Sequence, residues 1–130
     1  ACDTLKMCLP VMTGMVRTMT VRKENMLAAA KKGFINATDL ADYLTKKGMP
    51  FRDAYKLTGT IVADAIAKNE TLDTLSLEYY KGLSQLFEED IFDAISLETC
   101  IRTRISEGST GYDSVEKQIA YLRVRLEETR

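Results

Sequence analysis

The sequence contains no histidine and no tryptophan, only two prolines and seven glycines, and three cysteines in 130 residues. Without histidine there is no Ser-His-Asp or Cys-His catalysis, no imidazole proton shuttle and no His-ligated metal. Cys2, Cys8 and Cys100 form no C-x-x-C pair and are odd in number. A chain of this length needs no disulfide staple, so a reducing, cytoplasmic location is expected. The 18 Lys+Arg against 19 Asp+Glu leave a net charge of −1, which gives no electrostatic case for nucleic acid or an anionic membrane. Long hydrophobic runs are also missing. Met7 to Val16 imitates a signal-peptide core, but Asp3 precedes it, Arg17 closes it and no A-x-A pattern follows. No run is long enough to span a membrane. The chain opens on Ala1 with no initiator Met, which reads as an excised piece or a cloning remnant.

What is present is a 45% hydrophobic, 28% charged composition, that of one globular domain with a real core. No segment alternates apolar and polar residues, and the periodicity is helical throughout. The expected fold class is all-α.

The first helix is expected over about Asp3 to Thr20. Leu5, Cys8, Leu9, Met12, Met15, Val16 and Met19 recur at spacings of three and four, interrupted by Pro10 and Gly14, which should kink or weaken it. A second helix spans about Lys23 to Lys32 and ends on Gly33 as its C′ residue. A third runs from about Ala37 to Lys47, with Asn36 as N-cap and Gly48 as its stop. Pro50 then opens a helix to Lys68 whose apolar face reads Phe51, Ala54, Tyr55, Thr58, Ile61, Val62 and Ala65. Gly59 sits mid-helix at a cost of roughly 1 kcal/mol relative to Ala, and a close helix crossing is the expected reason for it.

Ser76 caps a helix over about Leu77 to Ser84, Glu88-Glu89-Asp90 opens another ending near Ile95, and Ser96 caps a third over about Leu97 to Ile105. Asp113 and Glu116 form a D-x-x-E capping box for a last helix to Glu128. Its apolar side is Val115, Ile119, Leu122 and Leu126, with Arg123 and Glu127 as an i,i+4 pair.

Few residues suggest chemistry. Glu88, Glu89, Asp90 and Asp93 could hold a hard metal or exchange protons, but acids belong in a helix's first turn, and no D-x-D-x-D-G loop is present. Cys100 has no histidine to activate it and reads as a buried thiol. Glu107 to Gly111 lacks the G-x-x-x-x-G-K-[ST] of a phosphate loop. The helix pair from Ala37 to Gly59 has a helix-turn-helix outline, yet Asp53 and Asp64 offset Arg52 and Lys56, so a structural pair is expected. The six tyrosines are expected mostly at helix contacts.

One resemblance is specific. The run N-A-T-D-L-A-D-Y-L from Asn36 to Leu44, followed by K-G-M-P-F-R-D-A from Lys47 to Ala54, is similar to the start of the C-terminal domain of the argininosuccinate lyase family. Leu75-Ser76-Leu77 and the L-F-E-E-D run from Leu86 to Asp90 continue the likeness, as does the Gly108-Ser109-Thr110 loop before the last helix. Asp3-Thr4-Leu5 and the V-M-T-G run from Val11 to Gly14 resemble the end of that family's long central helix. The family usually has His where this chain has Tyr55.

The resemblance implies a superfamily of homotetrameric lyases that release fumarate by β-elimination. In this family argininosuccinate yields arginine and fumarate. The family's base is a serine on a G-S-S-x-M-P-x-K-x-N-P loop, supported by a histidine. Neither is in this chain: Met49-Pro50 follows Lys47-Gly48, and Gly108-Ser109 leads into Thr110-Gly111. No catalytic, substrate-binding or metal-ligating residue is therefore assigned, and no cofactor is expected.

The implied division is 1–21 as the end of the central bundle helix and 22–130 as a small domain of stacked helix-turn-helix units. The isolated piece is expected to self-associate through Leu5, Leu9, Met12, Val16 and Met19, and to be inactive alone. Two other readings stay open at this point, a stand-alone interaction or DNA-binding helical module, and a lens crystallin relative of the lyase.

Overall fold

A computed structural model of the chain describes residues 2–128, and its regular structure there is entirely helical. The expectation attached to Ala1 lies outside the described residues. Eight helices follow in order: α1 Cys2–Thr18, α2 Lys23–Lys32, α3 Ala37–Lys46, α4 Phe51–Lys68, α5 Leu77–Leu83, α6 Ile91–Ala94, α7 Leu97–Arg102 and α8 Tyr112–Glu128. The all-α class holds. Helix α1 continues through Pro10 and Gly14 without ending at either.

The core is built where α3 packs on α4 and α6, with α7 against α6. Leu40, Leu44, Ala54, Ile61, Ala65, Leu72, Tyr80, Phe87, Ile91 and Ile95 are fully or almost fully buried. Each large aliphatic in that set contributes about 1.5–3 kcal/mol by leaving water. Tyr80 and Phe87 lie at its centre with ring centroids 5.0 Å apart. The Tyr80 hydroxyl donates to the Leu72 carbonyl at 2.8 Å, so the ring enters the core without stranding its polar tip.

The turn between α3 and α4 follows from Gly48. Its φ of +101° is one that a side chain disfavours. In that geometry the Gly48 N–H bonds the Thr45 carbonyl and the Met49 N–H bonds the Leu44 carbonyl, the paired bonds of a Schellman stop. The Pro50 carbonyl then accepts the first bonds of α4 from Asp53 and Ala54. Helix α4 ends in the same way, with Asn69 at φ +55° and bonds from Asn69 to Ile66 and from Glu70 to Ala65. Ser76 and Ser96 cap α5 and α7 by accepting from the N–H groups of Tyr79 and Thr99, both at 3.2 Å.

Several expectations are corrected. Gly33 ends α2 in a right-handed conformation, and Phe34 beside it takes the positive φ of 49°. Asn36 occupies the N-cap position of α3, but its side chain is buried and donates to the Ile95 carbonyl at 2.8 Å, so it ties α3 to α6 instead of capping. On α4 the buried stripe is Ala54, Thr58, Ile61 and Ala65, while Phe51 and Tyr55 point outward. A Cβ on Gly59 would meet nothing within 4 Å, so no helix among the described residues crosses there.

Helix α7 stops at Arg102, short of Ile105. Helix α8 begins at Tyr112, which places Asp113 inside the first turn and not at a cap. The ion pair at its end joins Arg125 to Glu128 at 3.5 Å, not Arg123 to Glu127. Tyr43, Tyr79 and Tyr80 serve helix contacts, whereas Tyr55, Tyr112 and Tyr121 are exposed.

Helices α1 and α2 bury no residue, and α8 buries only Ser114. Lys31 of α2 holds Asp73 at 2.9 Å.

Candidate functional site

The most connected polar cluster joins the end of α3 to the turn before α6. Tyr43 lies in the last turn of α3 and Lys47 caps its end one helical turn later, so the two share a face. The Tyr43 hydroxyl donates to Asp90 Oδ1 at 2.5 Å and accepts from the Glu88 N–H at 3.1 Å. Lys47 Nζ pairs with Asp90 Oδ2 at 2.9 Å, also pairs with Glu88, and lies 5.3 Å from the centre of the Tyr43 ring. Below it the Tyr43 ring stacks on Phe87.

The charge states follow from these contacts. The Tyr43 hydroxyl and Lys47 hold the Asp90 carboxyl below its ordinary range. Glu88 and then Asp90 raise Lys47 above its own. Burial, and then the Asp90 contact, raises Tyr43. Efficient proton transfer at neutral pH needs a group that titrates near it. Here the acid moves down and the ammonium and phenol move up, so each resting form is reinforced. The arrangement clamps one segment to another.

A second cluster lies toward the other end of α3, at Asp39 in its first turn. Arg104 Nη2 lies 2.9 Å from both oxygens of Asp39, a carboxylate only 10% exposed. Cys100 is buried nearby, and burial, followed by Asp39, pushes its thiol up to about 12. A thiol so shifted holds almost no thiolate at neutral pH and is a poor nucleophile.

After Arg104 the chain turns through the glycine-rich loop. Ser109 Oγ donates to the Arg104 carbonyl at 2.6 Å, and a Cβ on Gly111 would fall 2.0 Å from that same oxygen. Only glycine fits there. Between this loop and α8 lies an open groove of about 790 Å³, lined among others by Arg102, Glu107, Asp113, Lys117 and Tyr121. Its exposed charges are balanced, with Arg104 already engaged by Asp39.

The other sequence candidates fall apart in space. Of the acidic run, Glu88 and Asp90 face Lys47, Asp93 accepts from the Thr99 hydroxyl at 3.4 Å, and Glu89 is exposed. Among the described residues no three Cys, Asp or Glu groups converge as metal ligands. Cys2 and Cys8 are exposed on α1. Arg52, Asp53 and Lys56 are exposed on α4, while Asp64 accepts the Tyr79 hydroxyl at 2.6 Å. Burial and that carboxylate lift Tyr79 to about 12. The Tyr43–Asp90 and Asp39–Arg104 contacts were not among the sequence expectations. Their partners lie 47 and 65 residues apart, and only the i,i+4 spacing of Tyr43 and Lys47 hinted at either.

A family model for the argininosuccinate lyase C-terminal region matches residues 34–102. Those residues carry nearly all of the buried core. The chain belongs to the argininosuccinate lyase family. It is 48% identical over 119 residues to the argininosuccinate lyase of Acetivibrio thermocellus, covering 92% of this chain and 26% of that protein. With the Lachnospira eligens lyase it is 48% identical over 128 residues, 98% of this chain and 28% of the relative. With the Symbiobacterium thermophilum lyase it is 49% identical over 120 residues, 92% and 26%. The chain thus spans about a quarter of the length of the lyases that it matches. These comparisons support the lyase reading and lend nothing to a stand-alone DNA-binding module or a crystallin. No helix among the described residues is long and apolar enough to cross a membrane.

Proposed function

We propose that this chain serves as the C-terminal helical domain of an argininosuccinate lyase. The complete subunit cleaves argininosuccinate to arginine and fumarate, and these 130 residues supply neither the base nor a substrate-binding group. The observation that carries this reading is the overlap between the 34–102 family match and the folded core, in a chain spanning 26–28% of its relatives. The inactivity of the piece is supported by the missing Gly-Ser-Ser before Met49-Pro50 and by the direction of the shifts at Lys47, Asp90 and Cys100.

Residues 1–21 are the end of the central bundle helix, and 22–130 are the small domain. The parent is a cytoplasmic homotetramer. In the isolated piece, the apolar face of α1, with Met19 just past its end, drives self-association through Leu5, Leu9, Met12, Val16 and Met19. Each of these is at least 56% exposed, a stripe that water disfavours and a second copy can cover.

Fumarate release by the parent and by the 130-residue chain, followed by ultraviolet absorbance, tests the proposal. Turnover by the parent alone is expected. Robust turnover by the short chain places the chemistry elsewhere than proposed, and a parent without turnover removes the lyase reading. Light scattering showing a clean monomer at high concentration, with α1 helical, overturns the self-association.

A further inference from the structure

Helix α4 has two apolar faces, and the fold uses only one of them. The buried face is Ala54, Thr58, Ile61 and Ala65. About a quarter-turn away, at helical spacing, runs a second stripe of Phe51, Tyr55, Gly59 and Ile66, with the half-buried Val62 on its inner edge already packed against the core. Phe51, Tyr55 and Ile66 are 56%, 67% and 61% exposed, and the Phe51 and Tyr55 rings lie together with centroids 6.1 Å apart. In the middle of this stripe is Gly59. A mid-helix glycine is unfavourable, and no atom among the described residues makes use of its missing side chain. Beyond the stripe, the next face outward carries Arg52 and Lys56, both exposed, and neither is in an ion pair among the described residues.

We propose that this outward stripe of α4 docks an amphipathic helix from the part of the lyase subunit that these 130 residues do not cover. The docked helix crosses closely at Gly59, sets an apolar side chain into the gap there between Tyr55 and Val62, and turns carboxylates toward Arg52 and Lys56. This rests on the functional reading above, because about three quarters of the length of the matched lyases lies outside the chain. The cationic flank selects an acidic partner helix. The glycine notch between two large apolar groups sets the point of closest approach.

The test compares the parent subunit with the 130-residue chain, both carrying Tyr55→Cys, with maleimide labelling at position 55 followed by peptide mass mapping. Labelling at least ten-fold slower in the parent is expected, and equal rates overturn the proposal. Slowing in the 130-residue chain as it is concentrated identifies a second copy as the occupant and also overturns it. Gly59→Leu supplies an independent arm. In the short chain it leaves the thermal melt unchanged or higher, because the space is open. In the parent it loosens the domain and speeds tryptic cleavage at Arg22 and Lys23 by about ten-fold. The same cleavage rate in variant and wild-type parent overturns the docking. Fumarate release by the unmodified parent separates the two claims, since a parent without activity sinks the functional reading while the labelling contrast still decides the docking.

Discussion

Helix α3 has ten residues and buries four of them, whereas α1 has seventeen and buries none. Both carry apolar residues at helical spacing. The difference lies in what surrounds them: α3 sits between α4 and α6, while the large apolar residues of α1 all stay exposed. Helix α8 repeats the contrast, since Val115, Ile119, Leu122 and Leu126 form a helical stripe that stays 39–68% exposed. An amphipathic pattern states that a face wants a partner and is silent about which one. Within the residues matched by the family model, α3 and one face of α4 find theirs inside the chain, and the two terminal helices do not.

The largest effect expected from this contrast is in the core. Leu44→Ala should cost about 2–5 kcal/mol in urea denaturation. Leu9→Ala on α1, measured at a dilution where the chain is monomeric, should stay within roughly 0.5 kcal/mol of wild type. Comparable losses at the two sites would erase the distinction. Next comes Gly111→Ala, which drives a methyl against the Arg104 carbonyl. A cost of about 1–3 kcal/mol is expected, with faster hydrogen exchange over α8 and little change over α3 and α4.

Tyr43→Phe removes the hydroxyl that bridges Asp90 and the Glu88 N–H, and roughly 1–2 kcal/mol should be lost. The pH dependence is smaller. Asp90 and Asp73 both sit below their ordinary value of 3.8, Asp73 through the Thr71 hydroxyl and then Lys31. A depressed carboxyl contributes stability that is fully present above its unfolded value and is lost as pH falls through the folded one. Stability should therefore fall off below about pH 4. Asp90→Asn should flatten that slope. The mildest test moves no stability at all. Under a thiol reagent at pH 8, Cys2 and Cys8 should label quickly, and Cys100 only after urea is added.

Much of the fold was legible because its signals are local. Ser76 and Ser96 reveal their caps through residues three positions away, and the Gly48 stop needs only its own neighbours. The failures arose where a residue had a distant alternative. Asn36 carries cap chemistry, but the Ile95 carbonyl 59 positions away takes its amide. Phe51 and Tyr55 fit the apolar period of α4 as well as Thr58 does, and only the position of α3 decides which face is covered. The family resemblance was carried by the N-A-T-D-L-A-D-Y-L and K-G-M-P-F-R runs, which lie in the matched core and at its one sharp turn. The Tyr43–Lys47–Asp90 and Asp39–Arg104 contacts escaped notice because charge pairs far apart in sequence leave no periodic trace.

Four of the six methionines stand exposed on α1 or just past its end, at positions 7, 12, 15 and 19, with Met26 exposed on α2. Thioethers so placed meet dissolved oxidants first, and each sulfoxide formed turns an oily, flexible side chain into a polar one. Oxidation would then rewrite the chemistry of α1 while Leu44, Tyr80 and Phe87 stayed sealed. Chemical ageing of this chain would alter what it adheres to well before it altered how it folds.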